Sequence, residues 1–405
     1  MYDFPAQIVY DGILKRQRRA FIDIDDKLLP LYLGECLRNL DLAYKIFDHH
    51  SFNMVVLSHA LDFTYGAIAW MALQKKISVI VLYGDFGHAK FFHLQNQGDM
   101  FRFPGRPNKS DSLRVSDAQT KSLQIKGREQ LDARMMGQTD DVGALYAYSK
   151  RKGEIDRRQI AQVFGWDSKK PIVGVYNSNW FDFPHGSGLN YFRDFYDWIM
   201  STLEVAKEVQ DVNWLFKAHP CDQWYAKING QRLEDLIEAT NLPHIKLANN
   251  NWNGFKLMSS LDGVITCHGS IGIEATAHSI PVLVPYEGWY GAAQFVKCAI
   301  SRADYLSTLK GSWWKDINLV ENKIKAEIFA GWIYCVPDWH GEYKYLDDSM
   351  QDQIFVSLRK FIKLNNASLL REVSLLRDWY IDGHPYYHVY KISKGSNFQL
   401  GNIAQ

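Results

Sequence analysis

The residues of this chain best equipped for chemistry fall where short apolar runs end. Residues 261–285 read LDGVITCHGSIGIEATAHSIPVLVP, in which the β-branched run 263–266 meets the turn Cys267-His268-Gly269-Ser270. A helical pattern follows through Ile271, Gly272, Ile273 and Glu274, and 280–284 is the next apolar run. A helix starting on Gly269-Ser270 offers backbone N–H groups and the positive end of its dipole to a phosphate. His268 is beside that turn, and Glu274 lies one turn on, within reach of a ribose hydroxyl. The same pattern also suits an ordinary βαβ unit with a serine cap. Upstream, 213–220 reads NWLFKAHP, a strand ending in Lys217, His219 and Pro220. Ligands of open α/β sheets bind beyond the carboxyl ends of strands, so Lys217 and His219 are placed as phosphate-seeking side chains. Pro220 ends the ladder and fixes the direction of His219. The alternative is a surface histidine beside a terminating proline. A second His-Pro, His384-Pro385, has no strand before it and reads as a turn.

A third candidate is the loop 177–186, NSNWFDFPHG, after the apolar run 172–176. Asp182 lies between Phe181 and Phe183, where partial desolvation would sharpen the reactivity of a carboxylate. Asp182 and His185 could equally form a turn or cap before a helix over 191–200.

The Lys217-Ala218-His219-Pro220 strand end followed by ITCHGSIGIEATAHSIPVLVP resembles the glycosyltransferases of bacterial capsule and lipopolysaccharide assembly. It is most similar to the capsule polysaccharide biosynthesis family that contains retaining β-Kdo transferases, and more distantly to bacterial sialyltransferases with an HP motif and a serine motif. The resemblance covers mainly residues 171–297. It implies a GT-B-like α/β fold, with two Rossmann-type domains whose parallel sheets face a central cleft. It also implies a CMP-activated donor of Kdo or a related acidic sugar and a lipid-linked or oligosaccharide acceptor. Lys217, His219, Pro220, His268, Gly269, Ser270, Ile271, Gly272 and Glu274 would then bind the nucleotide, with Asp182 and His219 catalytic. The family's acidic catalytic residue matches Asp182, although Asn177 stands where a glutamine is expected. Such chemistry must stabilise a departing phosphate, a task for preorganised donors. Asp182 would serve as a covalent nucleophile or as the base on the acceptor hydroxyl, giving retention or inversion. With no Asp-x-Asp motif at a strand end, no metal and no cofactor are expected. Two alternatives use related sites: a CDP-glycerol or CDP-ribitol phosphotransferase, against which Thr266-Cys267-His268-Gly269 stands in place of an Asp-rich motif, and a UDP- or GDP-sugar transferase.

The positioning elements follow from periodicity. Residues 53–58 and 77–83 read as strands around a helix over 59–73, a parallel pair with a right-handed crossover. Their carboxyl edge gathers His59, Asp62, Asp85 and His88, which the GT-B resemblance implies is the acceptor side. The spacing of these four fits no standard metal-ligand set. Residues 109–127 are polar with little period, and 128–158 could be a linker helix. With the roles that the GT-B resemblance implies, the expected division is an acceptor-side domain over 1–165, a nucleotide-sugar domain over 166–340, and helices over 341–405 crossing back to the first.

A chain of 405 residues with 47% hydrophobic side chains can build two cores and is not globally disordered. Its net charge of +1 gives no field for nucleic acid, and no nucleic-acid-binding signature appears. Five scattered cysteines with no CxxC pair suit a reducing cytoplasm. No apolar run is long enough to span a bilayer. The basic cluster Lys15, Arg16, Arg18 and Arg19 and the patch Trp313-Trp314-Lys315 are candidates for peripheral contact at the inner face of the cytoplasmic membrane.

Overall fold

The computed structural model describes residues 3–83, 90–101, 115–139, 141–222, 231–337 and 366–394. The fold is α/β: a first unit with a three-stranded sheet, a second with a six-stranded parallel sheet of Rossmann type, and a cleft pocket between them. In the first, helices α1 (Ala6–Gln17) and α2 (Leu29–His49) precede β1 (Met54–Leu57), α3 (Tyr65–Gln74), β2 (Ser78–Tyr83) and β3 (Lys90–Leu94). β1 pairs parallel with β2, as the crossover requires, whereas β3 runs antiparallel to β2 and makes this sheet mixed. The helix after β1 starts later than its pattern suggests. Asp62 accepts from the N–H groups of Thr64 and Tyr65 and so holds residues 58–64 as a loop.

The connecting region holds α4 (Asp117–Met135), α5 (Val142–Ala147) and α6 (Arg157–Phe164). α4 occupies much of the stretch whose polarity argued against an element. Its start is a capping box of Ser116 and Gln119. Its buried stripe is Ser122, Leu123, Gly127, Leu131, Arg134 and Met135, a helical spacing in which Leu123, Leu131 and Met135 are the large apolar members.

The second unit runs β4 (Ile172–Tyr176), α7 (Phe195–Glu208), β5 (Asn213–Lys217), α8 (Leu233–Thr240), β6 (Ile245–Leu247), α9 (Gly254–Met258), β7 (Gly263–Thr266), α10 (Ile271–Ala277), β8 (Val282–Val284), β9 (Lys297–Cys298) and α11 (Arg302–Leu309). Its sheet has the order β6-β5-β4-β7-β8-β9 and is parallel throughout. The chain moves outward from β4 one way and then resumes at β7 on its other side. That reversal opens a crevice at the carboxyl ends of β4 and β7, the usual ligand position in such sheets. Every residue of β4, β5 and β7 is buried, as strands covered on both faces must be.

Helix α12 (Leu319–Tyr334) crosses α4 at two glycines, which lets the backbones touch. A Cβ on Gly127 would lie 1.9 Å from the Glu327 carbonyl oxygen, and one on Gly331 would lie 2.2 Å from that of Leu123. Two further helices, α13 (Asn366–Asp382) and α14 (Tyr387–Ser393), pack on the first sheet. There the His93 N–H donates to Pro385, and Trp379, Tyr387 and Tyr390 cluster with Ile80.

Candidate functional site

A cavity of about 520 Å³ lies at the crevice, between the ends of β4, β5 and β7 and the helix α5. Lys217, His219, Pro220, Gly269, Ser270, Ile271, Glu274 and Asp182 all line it. Strand register explains the meeting, because Tyr176 pairs with both Lys217 and Thr266. The loops that follow these strands therefore open at one level.

Lys217 is only 6% exposed. Among the described residues its ammonium has no hydrogen-bonding or ion-pairing partner. Burial, assisted by the neighbouring Lys152, pushes its pKa down to about 8, with Asp222 opposing. An ammonium held in the interior without a counter-ion is costly. Asp222 is in turn pushed up to about 7, chiefly by its own burial.

His219 accepts the Cys221 N–H at Nδ1, 3.2 Å away, and its own N–H donates to Asp222. Burial lowers its pKa to about 4, with Asp182 and Asp141 working against that and Lys217 with it. The ring is therefore neutral near pH 7. With Nδ1 accepting, the proton is on Nε2. His219, read from sequence as a phosphate-seeking side chain, thus serves the cavity as a neutral donor and not as a cation.

The turn before α10 is built by Thr266, whose hydroxyl accepts the Gly269 N–H at 3.2 Å. The N–H groups of Gly272, Ile273 and Glu274 are taken by the Gly269 and Ser270 carbonyls. Those of Ser270 and Ile271, and the Ser270 hydroxyl, have no partner among the described residues. α10 has 7 residues, so these individual donors, rather than a long helix dipole, are what the turn presents.

Several expected contacts fall elsewhere. Gly272 does not line the cavity; a Cβ there would lie 2.2 Å from the Tyr290 hydroxyl, so the glycine serves packing. His268 stacks on Phe195 beneath the turn at 4.9 Å, and its carbonyl accepts the Trp289 indole N–H. Glu274 lines the cavity, but its carboxylate is occupied. Arg134 binds one oxygen at 3.2 Å and the Tyr148 hydroxyl donates to the other. Arg134 also binds Asp141 at 3.0 Å. Burial opposes the charge of Arg134, yet Tyr334, Glu274 and Asp141 outweigh it and hold the guanidinium protonated. Arg134, Asp141 and Tyr148 were missed from sequence. The signal for Arg134 was its place in the buried stripe of α4.

Asp182 is not desolvated by its phenylalanine neighbours. Its side chain is 57% exposed at the cavity mouth and pairs with Lys15 of α1 at 3.1 Å. Phe183 adopts a left-handed φ of 52°, which helps turn the carboxylate outward. Lys15 lies over the rings of Phe181 and Phe183. α1 secures the rest of this loop as well: Asp11 accepts from the His185 ring at 2.7 Å and from the N–H groups of His185 and Gly186. Tyr10 donates to Asp194. A helix of the first unit thus clamps the loop after β4.

On the acceptor side, His59 packs against Tyr65 and Phe183, and burial lowers its pKa. Asp62 accepts through one carboxylate oxygen from the N–H groups of Thr64 and Tyr65 at the start of α3. Neither lines this cavity, nor the cleft pocket of about 440 Å³ between the units, which is lined by Gln7, Phe101, His185 and Glu287 among others. Asp85 and His88 lie outside the described residues. No group of His, Cys, Asp and Glu among the described residues has the geometry of a metal site.

Some of the residues read as candidates for membrane contact are engaged within the fold. Lys15, Arg16 and Arg19 pair with Asp182, Glu35 and Asp23. Trp313 packs in the core over Gly263. Among the described residues no helix is long and apolar enough to cross a membrane.

No family model and no curated protein matches the chain. Among solved structures it is similar to the β-Kdo 2,4 transferase of Thermosulfurimonas dismutans KpsC, at 10% identity over 70% of this chain and 91% of that one, with a TM-score of 0.34. It is also similar to the UDP-GlcNAc 2-epimerase of Neisseria meningitidis bound to UDP-GlcNAc, at 15% identity over 76% and 78% of the two chains, TM-score 0.29. A further likeness is the spinosyn rhamnosyltransferase SpnG, at 10% identity over 80% and 77%, TM-score 0.28. Likenesses this slight assign no activity to the chain.

Proposed function

We propose that this protein is a glycosyltransferase whose nucleotide-activated donor docks its phosphate on Lys217, His219 and the turn 269–271. The observation that carries the reading is the buried side chain of Lys217, whose ammonium has no ion-pairing partner among the described residues, on the wall of a cavity at the sheet's crevice. A phosphate there would supply the missing charge. It would also accept from the Nε2–H of His219 and from the Ser270 and Ile271 N–H groups.

The same donors suit the reaction. As the bond between the anomeric carbon and the phosphate oxygen breaks, its electron pair moves onto the phosphate, and donors fixed in place favour that change. The acceptor hydroxyl oxygen forms the new bond and must lose its proton. Asp182, exposed at the mouth beside Lys15, suits a base that meets an acceptor arriving from solvent. The finer proposal, a CMP-activated acidic sugar such as Kdo delivered to a lipid-linked or oligosaccharide acceptor of a bacterial surface polysaccharide, rests on the KAHP and ITCHGS motifs.

Thermal shifts with CMP, CDP, UDP, GDP and ADP, in a buffer free of phosphate, test this on the wild type, Lys217→Ala and His219→Ala. A nucleotide at about a hundred times its dissociation constant should stabilise by about 2.7 kcal/mol. A shift with CMP that both variants lose supports the full proposal. Preference for UDP or GDP keeps the transferase and replaces the donor. No shift with any nucleotide refutes it.

A further inference from the structure

We infer that Asn177 and Tyr176, at the carboxyl end of β4, read the hydroxyl groups of the donor's sugar and so set its specificity. This rests on the nucleotide-sugar reading above. Asn177 is 5% exposed and Tyr176 8% exposed, and both line the cavity. The amide nitrogen and oxygen of Asn177 and the hydroxyl of Tyr176 are all buried without a hydrogen-bond partner among the described residues. Buried polar atoms in folded proteins are nearly always partnered. Such atoms on neighbouring residues of one cavity wall are accounted for when a ligand completes them.

The surroundings narrow that ligand. Glu274, the acid close enough to act on Tyr176 electrostatically, is engaged by Arg134 and Tyr148, and the phenol has no partner among the described residues. The Asn177 N–H donates to the Lys217 carbonyl at 2.9 Å, which sets Asn177 one strand across from the buried ammonium. A phosphate on Lys217 and the 269–271 turn would leave the group bonded to it facing β4, the strand between β5 and β7. Asn177 offers an acceptor oxygen and a donor nitrogen side by side. A pair of adjacent sugar hydroxyls matches both, one donating to Oδ1 and the other accepting from Nδ2.

The test is calorimetric titration of the full chain with matched ligands: CMP and CMP-N-acetylneuraminate, UDP and UDP-N-acetylglucosamine, GDP and GDP-mannose. In the wild type, the sugar should improve affinity about tenfold in at least one pair, the worth of one well-made buried hydrogen bond. Asn177→Leu should abolish that gain and leave the free nucleotide within about twofold, and Tyr176→Phe should remove part of it. Ligand-free Asn177→Leu should melt no lower than wild type, because an unmet buried amide has been removed. Equal weakening of free nucleotide and nucleotide sugar would mean that Asn177 reads base or phosphate, and would overturn the inference. So would the absence of a sugar-dependent gain in every pair, or a fall in melting temperature with binding unchanged. Failure of the wild type to bind any nucleotide is a separate result that refutes the transferase reading itself.

Discussion

Replacing Lys217 with methionine should stabilise the ligand-free protein while removing its affinity for phosphates. Methionine keeps most of the side-chain volume and deletes the charge. The pKa of Lys217 falls from the ordinary 10.5 to about 8. At about 1.4 kcal/mol for each tenfold change in proton affinity, keeping the ammonium charged at neutral pH costs about 3 kcal/mol. The direction with pH follows. Because the folded value lies below the unfolded one, the unfolded chain holds more protons between about pH 8 and 10.5, and wild-type stability rises with pH through that window. The methionine variant should therefore gain about 2–3 kcal/mol at pH 7, a rise of about 5–10 °C for a domain of this size. That advantage should shrink as the pH approaches 10.5. Scanning calorimetry of both proteins at pH 7 and pH 10, without phosphate or nucleotide, reads this directly. An unchanged or lower melting temperature at pH 7, or a gain of equal size at both pH values, would refute the reasoning.

Glu274→Gln should destabilise by about 3–5 kcal/mol, seen as a lower melting temperature, because it leaves the buried Arg134 with Asp141 as its one ion-pair partner among the described residues. Gly331→Ala should cost about 3 kcal/mol or more, since its Cβ would meet the Leu123 backbone at 2.2 Å and force α4 from α12; chemical denaturation measures it. Lys15→Ala should change stability by less than about 1 kcal/mol, the pair with Asp182 being exposed, yet should alter turnover by freeing that carboxylate. Nitrogen NMR of His219 should show an Nε2–H tautomer that does not protonate above about pH 5 in the empty protein, and a phosphate ligand should move that titration upward.

The second unit was the legible part. Its strands 172–176, 213–217 and 263–266 stand where apolar, β-branched runs ending at turn residues placed them, because strands buried on both faces leave a continuous signal. The cavity followed, since Lys217, His219 and the 269–271 turn are defined by those strand ends. α4 was hidden because its inner stripe meets α12 through glycine and a buried arginine, which hydropathy does not register. Glu274 looked available for a ribose because nothing local shows that Arg134 and Tyr148, from the connecting region, close on it. Asp182 misled for a related reason. Its phenylalanine neighbours suggest burial, but the left-handed Phe183 and the Lys15 pairing from α1 turn it outward. The unmet amide of Asn177 becomes visible only once the cavity exists around it.

The most direct test of the central claim is a crystal structure of the protein soaked with CMP or CDP. A phosphate within hydrogen-bond range of Lys217 Nζ, His219 Nε2 and the Ser270 and Ile271 N–H groups is the expected result. A nucleotide bound away from Lys217, or a cavity left empty at saturating ligand, would contradict the account.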